Sequence, residues 1–185
     1  MLHLNELLIA RVIGEGFIMG YIEDLRAVVG HRPLIFVGAV TVIIDEMGRL
    51  LLQQRKFPNG VWGIPGGLME LGESTKDVAR REVWEETGLK VNELNLINVY
   101  SGSQNYIKAE NGDEFYVVTV AYYSIGFEGE LNIDPSESIT FDFFYPNELP
   151  KDIVKSHQVI LNDFLSKHYS AEGQTNQSLS LNNTL

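Results

Sequence analysis

The chain predicts a mixed β-sheet flanked by helices, an α+β or α/β arrangement, and three observations carry that reading. The runs LIFVGAVTVII at 34–44 and FYVVTVAYYS at 115–124 are rich in β-branched and aromatic residues, as strands are. The first is nearly all apolar, as a strand buried on both faces would be. Two later segments, 74–87 and 153–168, carry apolar residues at helical spacing. Strands outnumber helices and do not alternate regularly with them, which argues against a doubly wound parallel sheet.

In chain order, Leu4, Leu7, Leu8 and Val12 have helical spacing, so residues 1–30 are expected as an N-terminal helical extension. Its second helix covers Tyr21 to Val29 and closes on Gly30. Met19 offers an alternative start. After the 34–44 strand, Asp45 to Gly48 form a turn and Leu50 to Arg55 return as a second strand. Lys56 to Gly60 read as a loop, Val61 to Ile64 as a short extended segment, and Pro65-Gly66-Gly67 as a permissive loop. Ser74 with Asp77 resembles a capping box, and Gly88 ends the helix it opens. Val78, Ala79 and Val83 give that helix a narrow apolar stripe, with glutamates turned to another, outward face. Leu94 to Ser101 and Ile139 to Tyr145 read as strands. Asn105 and Tyr106 fall in a loop, Asn111-Gly112 in a turn, and 128–137 in an acidic loop. The last helix buries Val154, Ile160, Leu161, Phe164 and Leu165. Residues 170–185, rich in Ser, Asn and Gln, read as a disordered tail.

Composition narrows the chemistry. The chain has 185 residues, enough for one domain with extensions. It has no cysteine, which excludes disulfides, thiolate catalysis and Cys-based metal sites and fits a reducing cytosol. No segment reaches the ~18 to 20 apolar residues of a membrane span. The N-terminus lacks the basic start and the cleavage site of a signal peptide, so the expected location is cytoplasmic. A net charge of −11 argues against non-specific nucleic-acid binding. It leaves room for a small phosphorylated substrate bridged by metal ions.

The stretch 67–89, GLMELGESTKDVARREVWEETGL, concentrates the acids. Glu82, Glu85 and Glu86 fall on one helix face, with Arg81 beside them. They stand at the C-terminal end of the helix, where the dipole opposes a carboxylate by about 0.3 to 1 kcal/mol each. A hard divalent cation with oxygen ligands, Mg²⁺ or Mn²⁺, reverses that sign and leaves positions for substrate phosphates. Phosphoryl or pyrophosphoryl chemistry follows, with a carboxylate activating water.

The register of these residues is similar to that of the Nudix hydrolases. The pattern G-x5-E-x7-R-E-U-x-E-E-x-G-U, with U apolar, is matched at Gly67, Glu73, Arg81, Glu82, Val83, Glu85, Glu86, Gly88 and Leu89. The lead-in Trp62 and Pro65-Gly66-Gly67 is present as well. The resemblance, to a MutT-like Nudix domain protein, implies an α/β/α sandwich with a mixed central sheet, here over 31–169. It implies hydrolysis of a pyrophosphate bond in a nucleoside diphosphate linked to another moiety. Carried over, Glu82, Glu85 and Glu86 are metal ligands with the Gly67 carbonyl as a further one, and the base is left open between Glu137 and a box glutamate, Glu82 being one candidate. Glu73 pairs with Arg81, which acts as an orienter. A further acid from outside the box is expected, Glu137 first and Asp134 second. A small nucleotide is the expected partner, and a homodimer one expectation for assembly. The alternative reading is a non-catalytic nucleotide-sensing module, but such modules usually lose box glutamates and this chain retains them.

Beyond the box, Arg55 and Lys56 are candidates for holding a phosphate, and Tyr106 for contacting substrate at the separation seen in dinucleoside-polyphosphate members. The proline of ADP-ribose members and the longer signature of NADH members are absent downstream. Glu70 reads as a solvated loop acid and His157 as a surface residue.

Overall fold

The structure is a computed structural model and describes residues 11–12, 17–18, 20–109, 111–132 and 138–169. Its centre is strand β3 (Leu34–Ile44), the apolar run that the sequence marks as doubly buried. From Gly38 to Ile44 every residue of β3 is buried, so both faces are covered. Along one edge β3 runs parallel to β9 (Glu114–Ile125), with Leu34 opposite Phe115 and Ile44 opposite Ile125.

Its other edge is divided. Ile44 pairs with Leu50 of β4 (Leu50–Arg55), whereas Gly38 to Val40 pair antiparallel with β6 (Gly66–Leu68). Outside these lie β10 (Ser138–Phe144) on β4 and β7 (Asn95–Tyr100) on β9. The short strands β5 (Trp62–Gly63) and β8 (Tyr106–Lys108) add to β4 and β9. The path of the sheet is β10-β4-β3-β9-β7, with one parallel strand pair among antiparallel ones.

Alternation along β3 sends successive side chains to opposite faces and so creates two cores. Ala39 and Ile43 pack with Leu51 against Val78, Ala79 and Val83 of helix α2 (Thr75–Thr87). Val40, Val42 and Leu52 pack against Ile160, Leu161 and Phe164 of helix α3 (Lys155–Lys167). Helix, sheet and helix make three layers, the mixed sandwich that the sequence predicts. Among the described residues no helix is long and apolar enough to cross a membrane.

Helix α2 is bounded as its sequence predicts. The Asp77 N–H donates to Ser74 Oγ at 3.2 Å and the Ser74 N–H to Asp77 Oδ2 at 2.9 Å, a complete capping box. Gly88 ends it in the left-handed region at φ 74°, its N–H on Trp84 O.

Four local expectations are corrected. Arg11–Val12 and Phe17–Ile18 are antiparallel strands β1 and β2, not part of a helix reaching Val12, and residues 1–10 lie outside the described set. The glycines after Pro65 are strand β6 and not a loop, because β3 supplies backbone partners that no local propensity signals. Tyr106 opens a strand paired to Tyr116, while residues 103–105 form a short 3-10 turn. Glu70 lies on a loop and is partly exposed, but its carboxylate has a structural task that the sequence does not signal. Helix α1 (Tyr21–Val29) begins after Gly20, which has no side chain to cap it, and the Tyr21 N–H donates to Glu70 Oε2 at 3.0 Å. At its other end Arg26 donates to the carbonyls of Gly30, Arg32 and Glu114, and its guanidinium lies over Phe36. The tail at 170–185 lies outside the described residues.

Glu70 thus serves α1 as an N-cap supplied from a distant loop. Glu70→Ala should lower stability by about 1 kcal/mol in denaturant unfolding, while Glu70→Gln, which keeps an acceptor oxygen, should retain most of it.

Candidate functional site

The site forms where β6 meets α2. Two glycines let β6 press on β3, and a third admits an acid of α2. A Cβ at Gly66 would collide with Ala39 O, and one at Gly38 would stand 2.6 Å from Gly67 O. A Cβ at Gly67 would meet the Glu82 carboxylate carbon and oxygens at 2.5 to 2.7 Å. The acid of α2 therefore lies directly against the Gly67 Cα, and the Gly67 carbonyl is turned towards Gly38.

Arg81 is the hub. Its Nε donates to Glu73 Oε1 at 2.5 Å and its Nη2 to Glu73 Oε2 at 2.9 Å, a bidentate pair. Nη1 donates to Glu82 Oε1 at 2.6 Å and to Glu85 Oε2 at 3.2 Å, and Nη2 also to Leu68 O at 3.0 Å. The hydrogen bonds from Arg81 hold the Glu73 carboxyl below the usual carboxylate range, and Glu73 in turn raises the already high Arg81 pKa. Glu73 Oε2 also accepts the Glu70 N–H at 2.9 Å, which fixes the loop between β6 and α2.

Glu86 takes another direction. It is buried, with 7% of its surface exposed, although the sequence leads one to expect all three acids on an outward face. Its Oε2 accepts the Gly66 N–H at 2.9 Å and its Oε1 accepts Gln53 Nε2 at 3.3 Å. Gln53 also donates to Ser138 Oγ at 2.7 Å. A buried carboxylate needs such donors, and strand pairing provides them. Sequence reasoning missed Gln53 and Ser138. The available signal was Gln53 two residues after Leu51, a polar group on the core-facing register of β4.

The other expected residues are spread around this cluster. Glu137 and Asp134 lie outside the described residues; Ser138, the residue after Glu137, pairs with Arg55 at the start of β10. Arg55 ends β4 with its side chain against Gly63, and Lys56 follows it, partly buried. Tyr106 sits on β8, half-exposed, its ring 5.3 Å from that of Tyr116. Tyr116 is opposite Ile35 and Gly67 opposite Ala39, which separates the two rows by about 13 Å of strand. The structure does not bring Tyr106 to the glutamates. His157, expected at the surface, turns inward, and its Nδ1 accepts the Ile64 N–H at 2.9 Å. An open cleft of about 280 Å³ at the end of α2, lined by Trp84, Glu85, Gly88, Glu130 and Asn132, gives Glu85 an approach from solvent.

Among the described residues no three acid or imidazole groups already surround one point as a metal cage. The donor set nevertheless fits a hard divalent ion. Glu82, Glu85 and Glu86 offer only oxygen, and the carboxylates of Glu73, Glu82 and Glu85 share one guanidinium.

Comparison with known proteins agrees with this arrangement. The sequence profile described as NUDIX domain matches residues 35–164. A MutT-like protein of Streptomyces ambofaciens is 32% identical over 133 residues, covering 72% of this chain and 79% of that one. An ADP-ribose pyrophosphatase of Methanocaldococcus jannaschii is 31% identical over 131 residues, covering 69% and 72%. The crystal structure of a MutT NUDIX hydrolase from Burkholderia pseudomallei superposes with a TM-score of 0.60 at 27% identity, over 71% of this chain and 98% of that one. A mixed sandwich carrying a loop–helix acid cluster defines a class of hydrolases, and this chain belongs to the Nudix family within it.

The glycines separate folding from site geometry. At Gly67 the nearest atoms to a new Cβ are the far end of a flexible side chain, so Gly67→Ala should melt within a few degrees of the parent yet displace Glu82 and lose hydrolytic turnover. At Gly66 it meets β3 backbone at a positive φ of 149°, so Gly66→Ala should destabilise the fold itself, by about 1–3 kcal/mol or more, in thermal unfolding.

Proposed function

We propose that the chain is a divalent-metal-dependent pyrophosphohydrolase acting on a small nucleotide in which a nucleoside diphosphate is linked to another group. The observation that carries this reading is the gathering of Glu82, Glu85 and Glu86 around Arg81, Gly66 and Gly67. Family membership and relatives named as an ADP-ribose pyrophosphatase and a MutT-like protein support it.

In this reading Glu82, Glu85 and Glu86 would hold Mg²⁺ or Mn²⁺, with the Gly67 carbonyl as a further donor, and such an ion would supply charge neutralisation for the pyrophosphate and a lowered pKa for the attacking water. A carboxylate, Glu82 or Glu137, takes the proton of that water as its oxygen bonds to phosphorus. The phosphoanhydride P–O bond breaks, and the leaving phosphate keeps the electron pair. Arg81 has its donors committed to Glu73, Glu82, Glu85 and Leu68, so it orients the acids and does not reach for substrate. Arg55 and Lys56 hold a phosphate where β4 ends. Tyr106, some distance from the glutamates, contacts the far moiety of an extended substrate in this reading.

Glu85→Gln and Glu86→Gln should each lower turnover by at least about a hundredfold. The fold should be retained in both, since a glutamine amide at position 86 still offers an oxygen to the Gly66 N–H. The measurement is phosphate release, coupled to a phosphatase, with Mg²⁺ or Mn²⁺ and a panel of ADP-ribose, nucleotide sugars, NADH, dinucleoside polyphosphates and nucleoside triphosphates. Full activity in both variants would overturn the ligand assignment. Absence of turnover across the whole panel would favour the nucleotide-sensing alternative.

A further inference from the structure

The lead-in to the box, Trp62 to Gly67, is held by a device that the reaction described above does not use. The Trp62 N–H donates to Asp152 O at 2.8 Å, and the Val154 N–H donates to Trp62 O at 2.9 Å, so Trp62 and Ile153 form a parallel bridge. The next step of this ladder would take the Ile64 N–H to the Val154 carbonyl. That carbonyl is already committed, because it accepts the Gln158 N–H as the first turn of α3. His157, one turn into the same helix, supplies the missing acceptor through Nδ1 at 2.9 Å. Gly63 leaves space for the ring: a Cβ there would stand 3.1 Å from Nδ1.

The following residue, Pro65, has no N–H. The next donor is Gly66, whose N–H goes to Glu86. Successive donors of the lead-in are thus taken by side chains of two helices that pack on opposite faces of the sheet, His157 of α3 and Glu86 of α2.

We propose that His157 is a positioning residue for the metal site. By accepting the Ile64 N–H it fixes the segment that sets the Gly66 N–H under Glu86 and Gly67 under Glu82. The role requires an unprotonated Nδ1, with the ring hydrogen on Nε2. Burial, with a smaller contribution from the Arg55 charge, pushes the imidazole pKa down to about 3, so the ring is a neutral acceptor throughout the neutral range. The consequence for metal binding rests on the ligand reading proposed above; the consequence for the lead-in does not.

The test compares His157→Asn, whose Oδ1 occupies the position of Nδ1, with His157→Leu, which fills the space without an acceptor. Amide hydrogen exchange is read at Ile64 and Gly66 in the metal-free protein, with Val83 in the core of α2 as reference. Mn²⁺ alone is then titrated by calorimetry. His157→Leu should speed exchange at Ile64 and Gly66 on the order of tenfold relative to Val83. It should weaken Mn²⁺ binding by about ten- to a hundredfold. His157→Asn should restore both. Equal behaviour of the two variants, or unchanged Gly66 protection in His157→Leu, overturns the proposal. If His157→Leu fails to fold, His157→Ala takes its place in the same comparison. Failure of the parent protein to bind Mn²⁺, with the exchange pattern as expected, counts against the ligand reading and leaves the positioning role standing.

Discussion

The Arg81 guanidinium is the interaction on which the rest of the site depends. It joins three pieces of backbone: the end of β6 through Leu68 O, the connecting loop through Glu73, and the C-terminal half of α2 through Glu82 and Glu85. A lysine could not replace it. Three donors on one nitrogen cannot form a bidentate pair with Glu73 while reaching two further carboxylates and a carbonyl, whereas the planar fork of arginine meets all of them in a fixed geometry. The same contacts explain how α2 tolerates acids at its negative end. Their charge is set against a cation held in place by the helix and its loop together.

Glu86 shows a second solution to the same electrostatic difficulty. It is nearly closed to solvent, and two neutral groups donate to it. Those donors, the Gly66 N–H and the Gln53 amide, come from β6 and β4, on either side of the point where the edge of β3 changes partner. The division of that edge is therefore more than a topological detail. β6 occupies the middle of β3, β4 its end, and the gap between them is where Glu86 finds its donors.

What the sequence made legible was local. The capping box at Ser74 and Asp77, the left-handed Gly88, the apolar stripe of α2 and the period of β3 are all short-range signals, and each has the structure expected of it. The grouping of Glu82 and Glu85 beside Arg81 was equally readable from their spacing on a helix, whereas the inward turn of Glu86 was not. What stayed hidden depends on partners far away in sequence. Gly66 to Leu68 form a strand only because β3 lies alongside, and glycine carries no strand propensity to announce it. Glu70 is a cap for a helix that begins 49 positions upstream, and His157 accepts from a residue 93 positions earlier. A glutamate in a loop and a histidine on a helix have ordinary solvent-exposed readings until the tertiary fold supplies their donors.

The distribution of these contacts also shows how the two ends of the sheet are braced against each other. The glutamates and their supports occupy the level of Ala39 and Val40 in β3, whereas Tyr106 and Tyr116 stand at the level of Ile35. Helix α1 connects the two levels, with its first N–H on Glu70 of the box loop and Arg26 on Glu114 at the start of β9. The two levels are joined by a helix of about two and a half turns. At its start stands Glu70, whose own N–H is bonded to the Glu73 carboxylate that Arg81 grips. The segment preceding the domain thus ties the acids gathered by Arg81 to the aromatic pair of β8 and β9.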